Sequence, residues 1–375
     1  MSRPLVFIAL LSLSAMALAQ PPMATAVRAT GEIDLDGVLA DPTWGDAQWQ
    51  SGFKVASVPD DNAPLPAASA KTRFKIVFDD EAAYVGIECD EPNIADLKAE
   101  TPWRDGAVWQ DDCVEIFFDP GNDGRYYHQV MVNARGTVLD LFGADYGLVT
   151  SKLWNGAFEA AGNIDDAASV WSVEVRIPFG AIILGEDAGG IWKWNVTRER
   201  HAGGETELHT WSPMRRNFHQ PTLFGTLIDM PTDYSDFRLT VDEPAVDVSR
   251  AASGQATLSM ALSARNETGA DRKLVASAAL FEDPTRRVES EPLDAPANEA
   301  VTFPLPGLAF VGSAPQTNVV FSIRDADSGK LLRAVVKNLS SEYKPITLTV
   351  LRPCYRNSIY ATEDLEQIEF QVDLA

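Results

Sequence analysis

From residue 72 to residue 228 the chain runs in short alternating or apolar stretches, at 72–78, 83–89, 113–118, 126–133, 170–177, 192–198 and 223–228. Gly, Pro, Asn and Asp close these stretches. A period of two sends successive side chains to opposite faces of a sheet, so the pattern is that of strands and turns. Helical periodicity is almost absent. Many short strands with no long helix between them predict an antiparallel β-sandwich and argue against a parallel α/β sheet. Further along, Ala256, Leu258, Met260, Leu262 and Ala264 alternate with polar residues up to the turn Asn266-Glu267-Thr268-Gly269, and runs at 273–281, 300–305, 318–323 and 331–336 follow. This second stretch predicts a smaller, immunoglobulin-like β-sandwich.

Composition places the boundaries. All nine tryptophans precede residue 212, and the polar, proline-bearing stretch 229–236 separates them from a tryptophan-free remainder. We therefore expect one sandwich over residues 20–232 and another over 233–342. Strand-like runs in the tail 343–375 cannot bury a core alone; they either complete the second sandwich or begin an unfinished third domain. Residues 1–19 read as a signal peptide: Arg3 supplies positive charge, 5–18 is apolar, and Ala17-Leu18-Ala19 is a small-x-small cleavage site. The expected product starts at Gln20, is secreted or periplasmic, and has no membrane span.

Charge narrows the partners. The 375 residues carry 54 acidic and 31 basic side chains, a net charge of −23, which disfavours nucleic acid because that affinity comes from Lys and Arg on phosphates. Cys89 and Cys113 lie on strand-like runs, where pairing and free buried thiols are both open. Metalloprotease, serine-hydrolase and dinucleotide-binding motifs are missing. The four histidines are His128, His201, His209 and His219, few candidates for a metal centre. Asp111 and Asp112, being adjacent, diverge on a strand, whereas a glycosidase needs two convergent carboxyls. Asp34-Leu35-Asp36-Gly37 and 119–124 are oxygen-rich turns able to hold Ca²⁺, without the spacing of an EF-hand loop.

Aromatic residues remain. Trp44, Trp171, Trp192 and Trp194 sit in apolar-patterned surroundings and are expected in the core. Trp109 and Trp211 stand among polar residues at strand margins, where an indole can present a flat apolar face to a sugar ring.

Asp34-Leu35-Asp36-Gly37 with Asp41-Pro42-Thr43-Trp44, then 111–120, 126–133, 171–179, and Trp211-Ser212-Pro213 with Phe224-Gly225, together resemble the family 9 carbohydrate-binding module, a DOMON-like β-sandwich fold, over about residues 26–229. The resemblance implies a non-catalytic module, often with structural calcium, that holds a sugar between two tryptophans. By position these are Trp109 and Trp211. Alternation puts Cys113, Glu115 and Phe117 on one face and Gln129, Met131 and Asn133 beside them, so Glu115, Gln129 and Asn133 are the polar ligand-binding candidates. Met131 stands where an arginine is expected. Two other readings stay open: a structural spacer in a larger surface or envelope assembly, and a haem-binding relative using Met131 with His128 or Lys152. A glycoside hydrolase attached to or partnered with the chain would fit the carbohydrate-binding reading.

Overall fold

The structure, a computed structural model, describes residues 21–56, 63–185, 187–250, 255–311, 316–340, 346–352 and 369–374. The expected signal peptide and Cys354 lie outside the described residues. No helix among those described is long and apolar enough to cross a membrane, and the helical pieces are single 3₁₀ turns.

The first region has fourteen strands: β1 (Met23–Thr25), β2 (Val27–Arg28), β3 (Lys54–Val55), β4 (Thr72–Phe78), β5 (Ala82–Asp90), β6 (Cys113–Asp119), β7 (Tyr127–Asn133), β8 (Val138–Ala144), β9 (Val149–Ser151), β10 (Glu159–Asp165), β11 (Val170–Pro178), β12 (Trp192–Arg200), β13 (Glu207–Thr210) and β14 (Gly225–Ile228). One sheet runs β1-β14-β12-β6-β7-β8-β9 with β13 and β3 attached through β12; the other runs β10-β11-β5-β4-β2. They form a sandwich. Between them Val114, Ile116, Phe118, Val130, Val132, Val173, Val175, Trp171, Trp192 and Trp194 share one core, as alternation along β6, β7, β11 and β12 predicts. Pairing is antiparallel except at two edges, where β1 runs parallel to β14 and β2 parallel to β4. There the chain crosses between sheets at Ala26, whose N–H donates to the Ile228 carbonyl at 3.0 Å.

The second region comprises β15 (Leu239–Val241), β16 (Ala245–Arg250), β17 (Gln255–Asn266), β18 (Arg272–Leu280), β19 (Arg287–Glu289), β20 (Leu293–Ala295), β21 (Ala300–Val311), β22 (Gln316–Asp325) and β23 (Leu331–Ser340). Its two sheets enclose a core of Leu258, Leu262, Leu274, Phe303, Phe321 and Ile323. The alternating residues of β17 from Ala256 to Ala264 point into it. In the tail, β24 (Ile346–Arg352) and β25 (Glu369–Leu374) pair with each other.

The regions meet along β23. Leu331, Ala334 and Val336 belong to the first core. Arg333 Nη1 donates to the carbonyls of Gly180 and Ile182 at 3.1 and 2.8 Å, and the Leu331 N–H donates to Glu81 at 2.9 Å. Gly180 is required by this closeness: a Cβ there would lie 2.7 Å from the Leu332 carbonyl. Cys89 and Cys113 are free and buried. Cys89 lies in the inter-sheet core and Cys113 on the opposite face of the larger sheet.

Candidate functional site

The outer face of the nine-stranded sheet is roofed by loops, which is why every residue of β6 and β7 is buried. Along β6 this face carries Cys113, Glu115 and Phe117; along β7, Tyr127, Gln129, Met131 and Asn133. Two apolar patches cover its ends. Phe117 and Tyr127 pack with Met214, Phe218 and Phe224, and Cys113 and Met131 pack with Val108, Leu139 and Leu141, against which Trp109 leans. Between the patches runs a polar stripe. Thr197 of β12 pairs with Glu115, and Glu115 with Met131; Gln129 Nε2 donates to Glu115 Oε2 at 2.6 Å. Gln129 Oε1 and Thr197 Oγ1 are buried with no hydrogen-bond partner among the described residues.

Glu199, two residues beyond Thr197, shares the face and is a carboxyl neighbour of Glu115. Burial, then the neighbouring Glu199 charge, hold the Glu115 carboxyl well above the usual range. Glu199 is the more open of the two, its side chain 18% exposed, and His201 Nε2 lies 3.7 Å from it. The same nitrogen donates to the Trp109 carbonyl at 3.1 Å. The Glu199 carboxylate beside it favours the charged imidazole and raises the His201 pKa. Trp109 is half-buried, and the Lys152 ammonium rests 3.7 Å from the centre of its ring.

Two expected ligand contacts are corrected. Trp211 does not stand open: it is 4% exposed, packs edge-on against Phe74 with ring centroids 5.2 Å apart, and belongs to the inter-sheet core. The reason is register. Thr210 faces outward opposite Thr197, and pairing continues one residue further, the Trp211 N–H donating to the Val196 carbonyl at 3.0 Å, so alternation turns the indole inward. Asn133 is also sealed. Its Nδ2 donates to Asp111 and to the Thr101 carbonyl, and its Oδ1 accepts from the amides of Arg135 and Thr137; it builds the β7–β8 turn. Asp111 and Asp112 anchor the roof, accepting the N–H groups of Glu100 and Thr101, and of Lys98, His201 and Ala202.

His128 and Met131 lie on opposite faces. His128 stacks on Phe118 in the core, accepts the Ile183 N–H, and is held neutral by burial with a pKa of about 3. In the oxygen-rich turns, Glu174 accepts from the amides of Asp36 and Gly37 and from Trp44 Nε1, and Asp119 from the amides of Gly121, Asn122 and Gly124. No three His, Cys, Asp or Glu side chains among the described residues group as metal ligands would.

A family model for carbohydrate family 9 binding domain-like domains matches residues 35–229. Among solved structures, the chain is similar to a family 9 carbohydrate binding module from Caldicellulosiruptor kristjanssonii in complex with cellotriose, at 19% identity over 56% of this chain and 95% of that one, with a TM-score of 0.41. The complex of that organism's module with glucose gives 18%, 56%, 97% and 0.40. A Bacteroides uniformis protein proposed to bind carbohydrate gives 21%, 56%, 99% and 0.44. No curated protein matches the chain.

Proposed function

The chain belongs to the carbohydrate family 9 binding domain-like family, which its residues 35–229 match, and from that premise we propose that the outer face of its larger sheet binds a sugar without transforming it. The observation that carries this reading is the polar stripe. Gln129 Oε1 and Thr197 Oγ1 are buried acceptors with no partner among the described residues, a costly arrangement that sugar hydroxyls relieve by donating to them. Trp109 supplies the apolar platform at the edge. Covering part of an indole contributes about 1 to 3 kcal/mol, enough for weak to moderate affinity. The leader-like sequence of residues 1–19 supports a role for this binding outside the cytoplasm.

Calorimetric titration of the intact protein with cellotriose and a panel of oligosaccharides tests the proposal. Trp109→Ala should weaken binding about tenfold with little change in melting temperature, since the ring is half-buried. Full affinity in that variant would remove the assigned platform. Absence of binding to every sugar would leave the spacer role.

A further inference from the structure

Resting on the sugar-binding reading, the chemistry of the stripe narrows the ligand class. Beyond the His201 imidazole, which lies 3.7 Å from Glu199, it offers carboxyls and oxygens able to accept. Glu115 and Glu199 lie side by side, and Gln129 Oε1 and Thr197 Oγ1 lack donors among the described residues. The neighbouring guanidinium groups do not balance them: Arg198 and Arg200 both bind Glu91, at 2.7 Å. No arginine stands at Met131. The apolar platform, meanwhile, already holds an ammonium, that of Lys152 on the Trp109 ring. Lys152 is exposed and can swing aside.

We propose that the ligand is a sugar with a free amino group, a glucosamine-type unit, whose ammonium is taken up by Glu199 and by the Trp109 face that Lys152 covers. Its hydroxyls donate to Gln129 and Thr197. A carboxylate-bearing sugar meets two carboxyls and is rejected, and an N-acetylated one brings no charge for Glu199.

The test is calorimetry on the intact protein with three matched trisaccharides: the glucosamine trimer, its N-acetylated form and cellotriose. The glucosamine trimer should bind about tenfold tighter than either neutral trimer, the scale of one partly exposed charge contact. Glu199→Gln should shrink that ratio about tenfold, and Lys152→Ala should raise affinity for the glucosamine trimer. Asp166→Asn, the same charge change on a distant exposed turn, should leave the ratio alone; an equal loss there would show attraction by net charge and overturn the assignment. Neutral trimers binding as tightly as the amine would overturn the inference while sugar binding stands. No binding by any of the three would remove both.

Discussion

Trp109 and Trp211 look alike in the chain, each an indole among polar neighbours, yet Trp109 lies half-buried in a turn over the outer face of the larger sheet while register turns Trp211 into the core. Trp211→Ala should therefore cost about 3 to 5 kcal/mol, as for a large buried aromatic, in chemical unfolding. A loss below about 1 kcal/mol, where surface substitutions fall, would contradict its place against Phe74. Glu115 and Gln129 were legible from alternation, and their mutual hydrogen bond confirms that they share a face. Asn133 was misread because alternation says which way a side chain points, not whether the following turn has already used its donors and acceptors. Thr197 and Glu199 carried a readable signal: with Trp192, Trp194 and Val196 pointing into the core, the same period leaves both on the outer face.

The strands themselves were plain from pattern wherever one face is buried, as in β17, and equally in β6 and β7, both of whose faces are buried. What pattern could not show were β1 and β2. Strands of three and two residues have no period, and their parallel partners lie far along the chain. Strand β8 carries a titratable consequence. Asp140 points inward, pairs with Arg104 at 2.8 Å and accepts the Gly156 N–H. Burial outweighs Arg104 and raises its pKa to about 7. The unfolded carboxyl titrates near 3.9, so the folded state binds this proton more tightly; Asp140's contribution is full below about pH 4 and is lost as pH rises toward 7. Asp140→Asn should flatten that segment of the stability-versus-pH curve. An unchanged slope would show that Asp140 ionises freely in the folded protein.

At the scale of the molecule, the tryptophan boundary and the turn-rich linker suggest two independent units, but the packing joins them. Leu331, Ala334 and Val336 lie in the first core although their strand belongs to the second sheet system. Burying a Leu or Val contributes about 1.5 to 3 kcal/mol each, and Arg333 adds two hydrogen bonds across the seam. This join was not legible, because β23 reads as an ordinary alternating strand and nothing in it says that its second face meets another domain. Calorimetry of the intact chain should show one cooperative transition, and two well-separated transitions would contradict the shared core. Severing the chain at the 229–236 stretch to make a portable sugar-recognition tag would leave Phe179 and Ile182 bare to water. The smallest unit that can be grafted elsewhere extends to Ser340, and cargo attached downstream of it inherits a fixed bearing toward the outer face of the larger sheet.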